Sequence, residues 1–428
     1  MPAGSGSRES LSKHPRKASC KTSKVFFANL DNFLDGKVSV WFSCRWRAVQ
    51  GHEEVTKDGH HEIVFIQPCL PVRPSIKQVA HLAGVSIATV SRLLNKPGSV
   101  SAETAEKIHR SIAELGFRPN FTGRNLRAGN SRTVGVVVPT LSNTVFAQCL
   151  QGIELAARAL DYSVMFTTTE YLPQDESAAV ELLLGHRVDG VILTVADAGA
   201  NATLDLLERE RIPFVLTYNQ LTAEPAGTVT PRASVSVDNR AAACDAVNHL
   251  IGLGHRRIQM LSGRFNASDR AIQRYFGYVD AMRAAGLVPL PAIEVERHTL
   301  TAANEYQQMM ADPERRPTAL FCSNDLLALS AMRELRALGM RVPQDISVMG
   351  FDGIPVGALV EPVLASVVQP SERIGDVALR TLVQAIESRA PEAALAEVPP
   401  VWTPVPLILP HSLRDGGTVG APAAASCA

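Results

Sequence analysis

From residue 133 onward, short apolar runs alternate with longer segments of helical periodicity. The runs are TVGVVVP (133–139), YSVMFT (162–167), DGVILT (189–194), PFVLTY (213–218), SVSVD (234–238), RIQML (257–261), ALFCS (319–323) and ISVMGF (346–351). Helical patterns lie between most of them, as in Phe146–Leu160, Ser177–Leu184, Asn239–Leu253 and Leu326–Leu338. This alternation predicts parallel sheets covered by helices on both faces. Because the series splits near Val237–Gly263, we predict two doubly wound α/β lobes around a cleft.

Residues 75–116 show a different pattern, which predicts three short helices. Ser75 can cap the first helix, and Gly84 is free to adopt the positive φ that ends it. Ser86 can cap a second helix through Leu94, and a third helix runs from Ser101 to Leu115. Two helices joined by a tight glycine-containing turn, followed by a third, predict a helix-turn-helix.

Charge is unevenly distributed along this chain of 428 residues, which is neutral overall. Between Ser75 and Arg132 there are 9 Lys and Arg against 3 acidic residues, a charge of +6. Residues 1–74 carry 11 basic and 7 acidic residues, so 22 basic and 32 acidic residues remain in 133–428. A basic end on an acidic body is typical of a protein that touches DNA with one end only.

Other features restrict the class of protein. No apolar run approaches the ~20 residues of a membrane span, and the N-terminus has no apolar core of a secretory signal. The seven cysteines are odd in number and scattered, which favours a reducing cytoplasm. We therefore expect a cytoplasmic, nucleoid-associated protein with no membrane partner.

Catalytic and metal-binding motifs receive little support from the sequence. There is no GxSxG elbow, P-loop or HExxH pattern. The early Cys and His residues fit no metal-ligand spacing; they are Cys44, His52, His60, His61 and Cys69. We expect no catalytic residue, metal or cofactor, and a binding protein rather than an enzyme.

Three runs, IKQVAHLAGVSIATVSRLLN, SAETAEKIHRSIAELGFRPN and GRNLRAG, resemble the DNA-binding headpiece of the lactose/galactose repressor (LacI/GalR) family. The resemblance covers about residues 74–414 and is nearest to the gluconate-utilisation branch. It implies a helix-turn-helix headpiece at 74–118, a hinge at 119–132 and a two-lobed, periplasmic-binding-protein-like domain for effector binding and dimerisation at 133–414. The remaining segments are an N-terminal extension at 1–73, disordered or mis-assigned, and a flexible tail at 415–428.

The second helix is the expected reader of operator DNA. Ile87, Ala88 and Arg92 lie where side chains reach base edges in the major groove. The set that the resemblance implies for DNA contact also contains Ser86, Thr89, Ser91 and Asn95 in the headpiece and Asn120 at the start of the hinge. In the hinge, Leu126 corresponds by position to the family leucine that is wedged into the minor groove, with Arg124 and Arg127 near phosphates.

Polar residues at strand ends predict a small-molecule site in the cleft, because ligands of such sheets bind at the carboxyl ends of strands. The candidates are Asn143 and Phe146 after the first strand, Arg270 and Arg274 after the sixth, Asn324 and Asp325 in the SND run, and Asp352 in the FDG run. Arg264 adds positive charge nearby. An arginine fork facing an aspartate suits a sugar, a sugar acid or a phosphorylated derivative.

The resulting hypothesis is a homodimeric transcription regulator, a repressor in most of the family, whose affinity for operator DNA is controlled by a small effector. Neutral-sugar and purine effectors remain alternatives to a sugar acid such as gluconate. A carbohydrate-transport binding protein without a DNA role is a further alternative, but it would need an export signal and no basic headpiece. The tail GGTVGAPAAASCA shows no tetramer-forming leucine heptad, which favours a dimer.

We predict that residues 1–73 are dispensable. They match nothing in the family, and we interpret them as an extension created by the choice of start codon, with the working protein beginning near Val72. A protein starting at Val72 should fold and bind operator DNA as well as the full chain, which circular dichroism and mobility-shift titration will measure. Loss of folding on truncation would contradict this interpretation.

Overall fold

A computed structural model of the protein describes residues 74–95, 98–117, 130–220, 232–296, 304–313, 315–389 and 403–423. The chain forms two compact units, divided between Asn120 and Phe121, and each is described by itself. The predicted extension lies outside the described residues, as do Asn120 and the hinge residues Arg124, Leu126 and Arg127.

The first unit is the predicted three-helix headpiece, with α1 at Ile76–Ala83, α2 at Ile87–Asn95 and α3 at Ala102–Leu115. Ser75 and Gln78 form a capping box on α1, and Gly84 ends that helix at φ +67°. The Ser101 side chain caps α3. Val79, Val90 and Ile108, one from each helix, are fully buried at the centre of the unit. The local signals in the sequence therefore specify the helix-turn-helix, as predicted.

The second unit contains two lobes, and the first is built on the sheet β11-β5-β4-β3-β1-β2. Its elements are β1 (Thr133–Val138), α4 (Thr144–Ala159), β2 (Ser163–Thr168), α5 (Asp175–Gly185), β3 (Gly190–Leu193), α6 (Ala202–Arg209), β4 (Phe214–Thr217), β5 (Ser234–Ser236), α11 (Ser371–Glu387) and β11 (Pro406–Ile408). Every strand pair in this sheet is parallel. The central strands β1, β3 and β4 are buried on both faces, against α4 and α11 on one and α5 and α6 on the other.

The second lobe is built on the sheet β12-β10-β9-β8-β6-β7. Its elements are α7 (Asn239–Gly252), β6 (Ile258–Gly263), α8 (Asp269–Ala284), β7 (Ile293–Val295), α9 (Asn304–Ala311), β8 (Ala319–Cys322), α10 (Asp325–Ala337), β9 (Ser347–Asp352), β10 (Ala365–Val368) and β12 (Ser412–Arg414). Only β12 runs antiparallel to its neighbour. Within the described ranges, the chain crosses between the lobes at 237–238, 369–370 and 409–411.

All eight predicted strands are present, and the split near Val237 is confirmed. Four further strands, β7, β10, β11 and β12, were not predicted. Three of these have only three residues, too few to show a period. The prediction of a flexible tail is wrong for residues 415–423. Thr418 is fully buried there, and its hydroxyl donates to the carbonyl of Val348 at 2.7 Å.

Helices α4 and α11 cross at two glycines, which sets the spacing of two helices that begin at the cleft. A Cβ on Gly152 would lie 1.9 Å from the carbonyl oxygen of Glu372, and one on Gly375 would lie 2.0 Å from that of Cys149. Both contacts are with backbone, so no side chain can move aside. These glycines are required for close approach of the two helices.

We predict that Gly375→Ala destabilises the protein by roughly 2 kcal/mol or more, since it forces two packed helices apart. Gly185→Ala is the matched control, because a Cβ at the end of α5 meets nothing within 4 Å. That change should leave stability unaltered or raise it by up to about 1 kcal/mol. Urea denaturation of both variants measures the difference, and equal stabilities would contradict the close-packing argument.

Candidate functional site

The exposed face of α2 carries the candidate DNA-reading residues. Ile87 is 45% exposed, unusual for a large apolar side chain, and Ala88 and Arg92 are also exposed. Ser86 is the N-cap: its hydroxyl accepts the backbone N–H of Thr89 at 3.1 Å. Ser91 is half-buried, and Asn95 is the last residue of α2. Because Val90 and Leu93 point into the core, α2 presents an apolar and a cationic side chain outward from its first two turns.

A cavity of about 860 Å³ lies between the two lobes of the second unit, at the carboxyl ends of their strands. Six of the seven predicted effector residues line it: Asn143, Phe146, Arg270, Arg274, Asn324 and Asp352. They come from loops and helix starts that follow β1, β6, β8 and β9. The strand-end rule therefore located this cavity from the sequence.

The Asp352 carboxylate is at the centre of the cavity's hydrogen bonds, although only 4% of the residue is exposed. Its Oδ2 accepts the amide Nδ2 of Asn143, in the first lobe, at 3.0 Å. Its Oδ1 accepts Nε2 of Gln369 at 2.9 Å and Nη1 of Arg274 at 3.3 Å. Three donors from three parts of the chain thus converge on one buried anion, and one of these bonds crosses the cleft.

Arg274 is held by the second lobe on almost every side. Its Nε donates to Oδ1 of Asn239 at 3.0 Å, and Nη1 also donates to the carbonyl oxygen of Ser323. The guanidinium carbon lies 3.6 Å from the centre of the Phe351 ring, a cation–π contact. Arg274 and Asp352 are therefore fixed before any ligand arrives.

Burial shifts the pKa of both members of this ion pair towards the neutral form. Burial raises the pKa of the Asp352 carboxyl, whereas Arg274 and the side-chain amides of Asn143 and Gln369 lower it in part. It lowers the pKa of Arg274, which Asp352 opposes. The pair thus sits in a medium of low polarity, where a ligand's polar groups are attracted strongly.

A second bridge between the lobes is formed by the start of α8. Asp269 accepts the side-chain amide of Asn219 through both carboxylate oxygens, at 2.9 and 2.8 Å, and the backbone N–H of Ala198 at 3.1 Å. Next to it, Nη1 of Arg270 donates to the carbonyl oxygen of Val195 at 2.7 Å. These bonds hold α8 of the second lobe against the loops that follow β3 and β4 of the first.

Charged residues along the cavity wall balance one another. Three arginines (Arg264, Arg270 and Arg274) face three acids (Glu170, Glu296 and Asp352). Arg264 pairs with Glu296 at 3.3 Å, and both side chains are more than half exposed. The predicted contribution of Arg264 to a basic cleft is therefore offset at the rim.

Asp325 does not line the cavity, unlike its neighbour Asn324. Asn324 is the N-cap of α10: its Oδ1 accepts the N–H of Leu327 at 2.9 Å. Asp325, fully buried, accepts the Ser366 hydroxyl at 2.5 Å and the N–H of Ile354 at 2.7 Å behind the cleft. Asp325, the first residue of α10, thus points away from the cavity, whereas the cap residue Asn324 lines it.

Sequence reasoning missed Gln369 and two of the aromatic residues in the cavity wall. Gln369 is 5% exposed, and its Oε1 has no hydrogen-bond partner among the described residues. Tyr171 and Tyr218 pack edge-on against Phe146, with ring centres 6.2 and 5.5 Å away. Gln369 and Tyr218 follow β10 and β4 directly, so the strand-end rule would have found both had it been applied to every strand.

Two negative findings concern the described residues alone. They contain no group of three or more His, Cys, Asp or Glu side chains that could hold a metal ion. No helix in those ranges is long and apolar enough to cross a bilayer.

Comparisons with known proteins agree with this geometry. Residues 75–120 match the family model described as bacterial regulatory proteins, lacI family, and residues 247–405 match a periplasmic binding protein-like domain. The HTH-type transcriptional repressor CytR of Escherichia coli (strain K12) is 32% identical over 316 residues, 74% of this chain and 90% of that protein. The HTH-type transcriptional regulator GntR of the same strain is 34% identical over 349 residues, 81% of this chain and 99% of that protein.

Among solved structures, the lac repressor dimer bound to operator and the anti-inducer ONPF matches with a TM-score of 0.67. The identity is 27%, over 82% of this chain and 100% of that one. A helix-turn-helix joined to a two-lobed ligand-binding body defines the class of effector-responsive DNA-binding regulators. The chain belongs to the LacI family of bacterial regulatory proteins, as the resemblance indicated, and is a DNA-binding transcriptional regulator with the predicted fold class.

Proposed function

We propose that this protein is a homodimeric transcriptional repressor, without enzymatic activity, that works at the nucleoid in the cytoplasm. Two headpieces read a near-palindromic operator, and a small effector bound between the lobes changes operator affinity. The observation that carries this proposal is the buried polar chain Asn143–Asp352–Arg274, which joins the two lobes through the cavity wall. The basic charge of residues 75–132 supports the DNA role.

Dimerisation is supported by an apolar surface at one edge of the first lobe. Strand β2 is the edge strand of that sheet, and α4 and α5 flank it. Each carries a large apolar side chain that is about half exposed: Leu155 on α4, Phe166 on β2 and Leu182 on α5. Exposed apolar groups on neighbouring elements are typical of an interface. The matching lac repressor structure is described as a dimer.

The effector acts by differential affinity for two arrangements of the lobes. A ligand that hydrogen-bonds to Asn143 of the first lobe and to Asp352 of the second favours the arrangement of the lobes in which both residues can contact it at once. The hinge and the headpiece precede the first strand of the first lobe in the sequence. A change in the placement of the lobes therefore changes the positions that the two headpieces of a dimer can adopt. The shift in operator affinity cannot exceed the ligand's difference in affinity for the two states.

The hydrogen-bonding groups of the cavity suit a polyhydroxylated ligand. Among the described residues, Oε1 of Gln369 is a buried acceptor with no hydrogen-bond partner, so a ligand hydroxyl that donates to it offsets the cost of burying that oxygen unpaired. Asp352 also accepts, while the Asn143 amide donates. A hydroxyl both donates and accepts, so a row of hydroxyls can satisfy these groups together. The rings of Phe146, Tyr171 and Tyr218 supply an apolar wall for carbon atoms.

Arg270 favours a sugar acid over a neutral sugar. Its Nη1 is bound to Val195 and Asp269, but Nε and Nη2 make no hydrogen bond within the described residues. These two N–H groups form one edge of the guanidinium fork, which matches a carboxylate or a phosphate oxygen pair. The ligand we propose has an acid group at Arg270 and hydroxyls at Asp352 and Gln369, as in gluconate, a ketogluconate or a phosphorylated relative.

Arg270→Gln should weaken gluconate binding by about 10-fold or more, because a hydrogen bond to a charged group contributes about 1.5–3 kcal/mol. Operator binding without ligand should remain. Arg264→Gln is the matched control, since its exposed guanidinium already pairs with Glu296, and it should change affinity by less than about threefold. Calorimetry measures both. Tight binding of a neutral sugar with no binding of any sugar acid would refute the anionic part of the proposal.

Replacing Ile87 and Ala88 together should change which operator is preferred, because both are exposed at the reading end of α2. Lys77→Gln, in the exposed first turn of α1, should instead weaken binding to all DNA sequences alike. It should also lower the slope of log affinity against log salt concentration by about one. Selection from a randomised operator pool, with salt titrations, separates the two effects. An unchanged operator preference after the double replacement would count against α2 as the reading helix.

A further inference from the structure

Three side chains of the second lobe hold the turn that follows Asp352, from behind the cleft. Asp325 begins α10, Ser366 lies in β10 and Arg414 ends β12. None of the three lines the cavity. Asp325 and Ser366 are fully buried, and the Arg414 side chain is 17% exposed. We call these three residues the turn clamp.

The turn clamp binds all four backbone polar groups of Gly353 and Ile354. The Ser366 hydroxyl accepts the N–H of Gly353 at 3.2 Å, and Oδ2 of Asp325 accepts the N–H of Ile354 at 2.7 Å. Nη1 of Arg414 donates to the carbonyl oxygens of Ile354, at 3.0 Å, and of Gly353, at 3.4 Å. The clamp is also joined internally. Asp325 accepts the Ser366 hydroxyl at 2.5 Å, and Arg414 Nη2 lies 3.5 Å from its Oδ2.

The turn needs such support because its backbone is strained. Asp352 has φ +105°, which L-residues rarely adopt, and Gly353 follows at φ +71°. A Cβ on Gly353 would lie 2.6 Å from the Cα of Val368, so the chain has no room to relax toward β10. A strained residue persists only where its surroundings fix it more than once. The bonds of the clamp to the next two residues provide that constraint.

We propose that Asp325, together with Ser366 and Arg414, is a positioning residue of the effector site. It touches no ligand, but it fixes the turn that holds the Asp352 carboxylate between Asn143, Gln369 and Arg274. This inference rests on the proposed effector site, and it gives the aspartate of the SND run a role other than the direct contact predicted for it.

The turn clamp also makes effector binding sensitive to pH. The pKa of the Asp325 carboxyl is raised to about 7, mainly by burial and also by the nearby charge of Asp352. Hydrogen bonds from Ser366 and the Ile354 N–H, and the charge of Arg414, lower this pKa in part. The charged and titratable groups that face it are Arg414 on β12, Asp352 on β9 and Cys322 on β8. Protonation removes the charge that Ser366 and Ile354 bind, so the clamp loosens as pH falls through about 7.

Effector affinity and stability respond to Asp325 in opposite directions. The folded-state pKa of about 7 lies above the ordinary value of 3.8, so the folded chain binds this proton more tightly than the unfolded chain. Through this group, the free energy of unfolding rises as pH falls between those two values. Effector affinity falls over the upper part of the same range. A general loss of structure would lower both together.

The test uses the full chain, with D-gluconate and D-ribose as probes in calorimetry from roughly pH 5.5 to 8.5. Wild-type affinity should fall by up to about tenfold per pH unit below the Asp325 pKa. Asp325→Asn should weaken binding at the alkaline end by about tenfold and abolish that slope, while unfolding remains cooperative. Asp345→Asn, at a partly exposed aspartate paired with Arg341 and outside the cavity wall, is the matched control and should follow wild type. An unchanged affinity and slope in Asp325→Asn would overturn the proposal.

A second measurement separates failure of the clamp from failure of the effector assignment. Hydrogen exchange, read by mass spectrometry on the turn after Asp352, requires no ligand. Exchange of the Gly353 and Ile354 amides should be at least about tenfold faster in Asp325→Asn, and also in Ser366→Ala, which keeps the charge, but not in Asp345→Asn. If neither probe binds wild type while these amides lose protection, only the effector class is wrong. Unchanged protection in both variants would refute the clamp itself.

Discussion

The buried Asp352 carboxylate is the constraint on which the rest of the effector domain depends. A charge in a protein interior is stable only if donors surround it, and removing a partner from a buried ion pair costs roughly 3–5 kcal/mol. Asn143 comes from the first lobe, Arg274 from a helix of the second, and Gln369 from a crossover between them. Placing three donors around one anion therefore requires both lobes and a crossover to be in position at once.

Several features of the fold serve this requirement. Asn143 divides its amide, because Oδ1 caps α4 while Nδ2 crosses the cleft. The glycine crossing of α4 and α11 sets the spacing of the helices that follow Asn143 and Gln369. Residues after β11 contribute as well. Arg414 hydrogen-bonds to the turn after Asp352, and the buried Thr418 hydroxyl hydrogen-bonds to β9. Elements far apart in sequence thus act on one side chain.

The bridges between the lobes that are centred on Asp352 and on Asp269 differ in chemistry. Asp352 lines the cavity, whereas Asp269 does not and is bound to Asn219 and to backbone of the loop after β3. Burial raises the pKa of the Asp269 carboxyl as well. A polar ligand can exchange bonds with the first bridge while the second maintains the approach of the lobes.

The sequence by itself determined the three headpiece helices, eight of the twelve described strands and the side of the sheets on which the cavity lies. Strand period, serine caps and Gly84 act within a few residues, so they can be read without knowledge of the fold, and the strand-end rule then located six of seven predicted residues. Only the tertiary structure decided the direction of individual side chains. Asn324 and Asp325 are neighbours at a helix start, yet one lines the cavity and the other supports the turn behind it. Asn324 is the N-cap, with an extended backbone, and Asp325 is the first helical residue, so their side chains leave the chain in different directions. Packing against β9 and β10 selects which of the two lines the cavity.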